Sequence, residues 1–194
     1  MAIYTGYVQI PHDTYDDWRD AIGDNVNGFN FDNTYGCQCY DLAAEFWWNV
    51  GFPAGYPVIT NSSAKTMWEN RAVNSVLNGQ IVFELINNAT DIKRGDIVVY
   101  DSFAGNPYGH VGFADVDYSS ASWTYPELPI LSQNNGGTPD GQGGALANIH
   151  GYDISLFLGA FRYVGWLPAP DIRKRRFPWF IYYKRFRQRR YGII

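Results

Sequence analysis

The chain has 194 residues, enough for one domain of ordinary size with its own hydrophobic core. Its 20 glycines and 18% aromatic content favour short strands and turns over a helical bundle. A net charge of −4 and an acidic body argue against a dedicated nucleic-acid binder. No stretch reaches the roughly 18 apolar residues that span a bilayer. Met1 to Tyr7 lacks the basic and apolar regions of a secretory leader, so neither a transmembrane segment nor a signal peptide is expected. Two cysteines, Cys37 and Cys39, make no disulfide framework, and with three histidines a four-ligand zinc site is not expected. Thiol chemistry or simple burial remains.

Taken in chain order, the segment through Asn30 reads as a short helical or irregular entry. Thr14-Tyr15-Asp16-Asp17-Trp18 has the hydroxyl cap and early acids of a helix start. Residues 24–35 are rich in Asn, Gly and Asp and read as a loop. From Asp41 to Val50, Leu42, Phe46 and Val50 recur at helical spacing, with Gly51 as terminator, which puts Cys39 at a helix N-terminus. A second helix is predicted from Ser63 to Leu77. The pattern then changes. Residues 95–100, 108–116, 129–134 and 157–164 read as strands, with a loop at 136–144. Helices followed by strands predict an α+β fold with an antiparallel sheet.

A thiolate is the attacking form of cysteine, and the unpaired N–H groups of a helix's first turn favour that charge. Cys39 stands at such a position, where neighbouring amides can also hold an oxyanion. A histidine must act as base and then protonate the leaving amine. His110 fits, flanked by Gly109 and Gly112, and Asn134 or Ser132 is placed to orient its ring. His150, in a loop-like context, is the alternative. The competing reading of both residues is structural: a small buried thiol and a satisfied strand histidine.

Gly36-Cys37-Gln38-Cys39-Tyr40-Asp41-Leu42, then Gly95-Asp96-Ile97-Val98-Val99, Gly109-His110-Val111-Gly112-Phe113 and Leu131-Ser132-Gln133-Asn134 together resemble the CHAP family, the cysteine, histidine-dependent amidohydrolases/peptidases. The resemblance covers roughly residues 28 to 166. It implies a papain-like α+β fold, with N-terminal helices packed on an antiparallel β-sheet. By that resemblance Cys39 is the nucleophile, Cys37 a bystander and His110 the base. Asn134 orients the imidazole, and Gln38 is a candidate oxyanion donor. The family's usual Glu-Gln-Asn triplet is Ser132-Gln133-Asn134 here, a departure at the acid. Residues 1–167 form the CHAP-like catalytic domain and 168–194 a basic, aromatic C-terminal tail.

Counting from Asn30, oxygen-bearing groups fall at Asn30, Asp32 and Thr34, then the backbone of Gly36, with Asp41 twelfth. That is the spacing of a loop that wraps Ca2+. Tyr35 in place of the turn glycine and the short Asp41 depart from it, and an Asn/Asp turn is the competing reading. The resemblance extends to phage members that carry calcium in this segment, so a structural Ca2+ is an expectation. Trp47 and Trp48 are read as one core and one surface residue. The tail interleaves Arg173, Lys174, Arg175, Arg176, Lys184, Arg185, Arg187, Arg189 and Arg190 with Phe177, Trp179, Phe180, Tyr182, Tyr183 and Phe186. It suits docking to anionic wall polymers such as teichoic acids, an anionic membrane surface or other virion proteins.

The resemblance thus implies a peptidoglycan hydrolase working through a Cys-His thioester. The enzyme would be an N-acetylmuramoyl-L-alanine amidase or a peptide-bridge endopeptidase. A bacteriophage endolysin or virion tail-associated lysin is expected, found in the virion or in host cytoplasm before release to the cell wall. A catalytically decayed CHAP scaffold serving as a structural or wall-binding virion protein is the rival reading, kept open by Ser132.

Overall fold

A computed structural model describes residues 2–31, 33 and 35–166; the basic tail at 168–194, Asp32 and Thr34 lie outside the described residues. The elements run β1 (Ala2–Tyr4), α1 (Tyr15–Ile22), β2 (Asn27–Phe29), α2 (Cys39–Asn49), α3 (Thr66–Glu69), α4 (Arg71–Asn74), β3 (Val76–Leu77), β4 (Gln80–Ile81), β5 (Phe83–Ile86), β6 (Ile97–Tyr100), β7 (His110–Ala114), β8 (Glu127–Ser132), β9 (Asn148–Asp153) and β10 (Phe157–Tyr163). Six strands form one sheet in the order β5-β10-β6-β7-β8-β9, every pairing antiparallel. Helices come first and the sheet second, the α+β arrangement expected.

Local chemistry accounts for the helix boundaries. Thr14 Oγ1 accepts from the Asp17 amide at 3.1 Å, while Asp17 Oδ2 accepts from the Thr14 amide, a reciprocal cap that starts α1. Tyr15, Trp18 and Ile22 follow at helical spacing and are all buried. At α2, the Asp41 carboxylate accepts from the Gln38 amide at 2.9 Å, and the first helical residue is Cys39. Leu42, Ala43, Phe46 and Trp47 face the core, while Trp48 is 36% exposed, the division expected of the tryptophan pair.

The expected helix over 63–77 is instead two short turns broken at Asn70, followed by β3. At Asn70 the backbone leaves helical geometry (φ −92°, ψ 18°), and both its N–H and its Nδ2 close on the Thr66 carbonyl at 3.0 Å. Residues 24–35 are not all loop, because Asn27–Phe29 pairs in parallel with Ala2–Tyr4. The stretch around His150 is also a strand, paired along its whole length with β8.

Strands β6 and β7 are buried on both faces. Their alternation assigns Val99, Val111 and Phe113 to the core beneath α2, with Val98, Tyr100 and Ala114 in a second core shared with Leu128, Ile130 and Tyr152. Phe46 sits at the centre of the first core. Its ring meets Trp18 at 4.8 Å, Trp166 at 5.1 Å, Phe113 at 5.2 Å and Tyr163 at 5.4 Å. Truncating it removes several aromatic contacts and leaves a cavity, so Phe46→Ala should cost about 3–5 kcal/mol. Urea unfolding should show this as a lowered midpoint with an unchanged m value.

Candidate active site

Helix α2 delivers Cys39 on its first turn to the start of β7. There the Val111 backbone N–H reaches the sulfur, as do the amides of Tyr40 and Cys39 itself. Cys39 as a residue is partly exposed, while its sulfur is buried. Val111 is the neighbour of His110, and the charge on Cys39 is felt by Tyr152, whose ring stacks on the His110 imidazole. Thiol and imidazole therefore share one neighbourhood at the end of a strand. His110 is 3% exposed, and its Nε2 lies 3.0 Å from Ser132 Oγ.

Electrostatics at the thiol differ from the expectation. Burial dominates and pushes the Cys39 thiol up to about 11; the helix-tip and Val111 amides work against it, and the Asp41 carboxylate adds to it. Dipole and amides were expected to win. They do not, because removing a thiolate from water costs more than a few backbone donors return. Burial alone pulls His110 down to about 3. At neutral pH the resting pair is accordingly thiol and neutral imidazole. With Nε2–H donating to Ser132 Oγ, the ring keeps a lone pair on Nδ1 to receive a proton.

The remaining predicted residues occupy other places. Asn134 lies past the end of β8 with φ of 54°, and its Nδ2 donates to Gln38 Oε1 at 2.7 Å. The partner of the imidazole is therefore Ser132, not Asn134, because the chain leaves the sheet after Ser132 and turns the Asn134 amide towards the loop. Gln38 is itself held. Its Nε2 donates to the Tyr35 carbonyl at 2.5 Å and more weakly to that of Gly143 at 3.5 Å, which occupies the donors an oxyanion would need. The amides at the α2 tip are the better-placed donors. His150 is exposed and has no place in the site. Cys37 is fully buried, its thiol pushed to about 12 by burial first and Asp140 second.

Two further side chains, Gln133 and Asp140, support the site. Gln133, fully buried, accepts from the Phe29 amide at 2.8 Å and donates to the carbonyls of Phe29 (2.8 Å) and Gln38 (2.9 Å). It ties the end of β8 to β2 and to the residue before Cys39. Its signal was its place in the family triplet. Asp140 accepts from the amides of Cys37 (2.5 Å), Gln142 (2.7 Å) and Gly144 (3.1 Å). Some burial opposes ionisation, yet these amides hold it below the usual carboxylate range. Its tie to the cysteine segment was not marked locally, since Cys37 lies about a hundred residues away in the chain.

Of the expected calcium ligands, Asn30 and Asp41 are both nine-tenths or more buried. Asn30 Nδ2 donates to Gln142 Oε1 at 3.0 Å, and Asp41 caps α2. Gly36 has φ of 72° and packs against Asp140. Asp32 and Thr34 lie outside the described residues. Asn30 and Asp41 are thus engaged within the protein, and no group of three or more His, Cys, Asp or Glu among the described residues is gathered to hold a metal.

A helix with Cys39 at its tip, packed on an antiparallel sheet that carries the buried His110, is an α+β arrangement. The chain belongs to the CHAP domain family, whose model matches residues 28–125, half of its length. It is 29% identical over 127 residues to a protein named D-alanyl-L-alanine endopeptidase from Streptococcus phage B30, covering 64% of this chain and 25% of that protein. The chain thus spans about a quarter of the length of this relative. Its fold is similar to the endolysin LysIME-EF1, with a TM-score of 0.51 and 22% identity over 71% of this chain and 58% of that one. No helix among the described residues is long and apolar enough to cross a membrane.

The burial of His110 has a consequence for stability. Its folded value of about 3 lies below the ordinary 6.5, so the folded state prefers the neutral ring. The resulting stability is complete above about pH 6.5 and is lost as pH falls towards 3, by up to about 1.4 kcal/mol per pH unit. Thermal unfolding between pH 7 and pH 4 should show a steeper loss for the parent than for His110→Gln. Equal slopes would remove His110 as the cause.

Proposed function

We propose that this protein hydrolyses an amide bond in bacterial peptidoglycan through a thioester on Cys39. The observation that carries the reading is the Cys39 thiol held at the α2 tip by the amide next to His110. In the first half, Cys39 Sγ attacks the carbonyl carbon and its proton passes to His110, while the α2-tip amides hold the oxyanion. The C–N bond then breaks as His110 returns the proton to the leaving amine. In the second half, water attacks the thioester, His110 takes its proton, and the thiol is restored. The ion pair exists only during the reaction, since both partners rest neutral.

Between the two candidate bonds, the name of the phage B30 relative favours a peptide-bridge endopeptidase over a muramoyl-alanine amidase. A phage lysin, acting as an endolysin or from a virion tail, is the setting that fits that relative and the endolysin fold. The tail at 168–194 is assigned to wall-polymer or virion docking.

Zymography on walls of several Gram-positive species should show clearing by the parent and loss of at least about 10³-fold in Cys39→Ala. Mass spectrometry of the fragments should find new amino termini from a cut bridge; free muramic acid carboxyl-side ends with intact stems would assign the amidase instead. Equal clearing by Cys39→Ala would exclude the thioester route. An absence of clearing by the parent on every wall would favour the decayed scaffold.

We further propose that Asn30, Asp32, Thr34, the Gly36 carbonyl and Asp41 hold a structural Ca2+ beneath the Cys39 loop. Calcium at millimolar concentration should raise the melting temperature by a few degrees where magnesium does not, and a chelator should reverse it. An identical melting temperature in chelator and calcium would dismiss the metal.

A further inference from the structure

The family triplet departs from its usual acid at Ser132, which leaves the His110 imidazole with a neutral hydroxyl as its in-plane partner. A single hydrogen bond at one nitrogen fixes neither the plane of the ring nor its access to water. The structure supplies a second restraint from a strand the sequence did not reveal. Tyr152, on β9, lies with its ring centroid 4.6 Å from that of His110 and only 10° from parallel. Tyr152 is in turn pinned by Tyr100, at 4.5 Å and 50°, and Tyr100 is wholly buried in β6 opposite His110. Two tyrosines from β6 and β9 thus wedge the imidazole against β7 and β8.

We infer that Tyr152 is the positioning residue of the site, whose ring fixes the plane of the His110 imidazole and seals one face of it from water. The inference rests on the reading of His110 as base. The titratable groups around the stack are Cys39 from α2, Tyr100 from β6 and Asp153 beside Tyr152 on β9, and Ser132 is the polar partner from β8. No cation faces it among these, so exclusion of water is what keeps the ring neutral. The effect is a base that stays unprotonated well into acidic conditions, achieved with a hydrophobic wall where a carboxylate would have raised its affinity for protons. The stack also sets the direction of the Nδ1 lone pair, which a freely rotating ring would present to the thiol only part of the time.

The test uses the full chain with Tyr152→Leu and Tyr152→Phe. Phe keeps the ring and removes only the hydroxyl; Leu removes the flat wall. NMR titration of the His110 ring reads the proposal without any substrate. Expected is a titration midpoint moved up towards the ordinary histidine value in Tyr152→Leu and unchanged in Tyr152→Phe. In wall lysis, Tyr152→Leu should lower kcat by about tenfold with KM little altered and move the acid limb of the profile upwards; Phe should restore both. If Tyr152→Leu fails to fold, Tyr152→Met takes its place, filling much of the volume with a flexible chain. A His110 midpoint that does not move in the folded Leu or Met variant overturns the proposal. Parent protein that clears no wall, with the midpoint still shifted by Leu, would overturn the hydrolase reading and leave the wall around His110 standing.

Discussion

The site depends on one buried side chain amide. Gln133 spends three hydrogen bonds on backbone groups of two distant segments, Phe29 and Gln38, and has no water to fall back on. Each unmade bond at such a depth costs about 1–3 kcal/mol, so the three operate as a set. Through them the end of β8, which carries Ser132, is locked to the residue that precedes Cys39. The placement of Ser132 relative to the start of α2 therefore follows from the pairing of β8 with these segments. Asp140 and Asn134 reinforce the same segment from the outer side.

Burial decides the chemistry of the pair. The helix tip and the Val111 amide favour a thiolate, but water has been excluded from both Cys39 and His110, and exclusion is the larger effect. The resting state is neutral as a result. A neutral third partner, Ser132, is consistent with such a site: it orients the ring without adding a fixed charge that would hold a proton there. The helix tip therefore fixes where the Cys39 sulfur lies more than it lowers the acidity of the thiol.

The aromatic content finds its use in the same arrangement. Phe46, Trp18, Phe113 and Trp47 fill the space between α2 and the sheet with large rigid groups in edge and offset contacts, a packing that fixes the helix axis closely. A helix so wedged cannot slide along the sheet, and its first residue stays where the β7 backbone can reach it. The match to the CHAP family over residues 28–125 takes in Phe46, Trp47 and Phe113 of this packing.

Residue order alone determined a good deal. The Thr14 cap, the spacing of Leu42 and Phe46, the β-branched run at 97–99 and the glycines flanking His110 are local signals, and each element they announce exists. Cys39 and His110 were legible because their short contexts are distinctive. What the linear chain could not carry was pairing between remote segments. β9 lacks alternation and gains its strand character only from β8 beside it, so Tyr152 and its stack on His110 were invisible. The choice of Ser132 over Asn134 turned on where β8 stops. The ionisation of the thiol was decided by how many neighbours exclude water from it, a property of three-dimensional packing that no run of letters encodes.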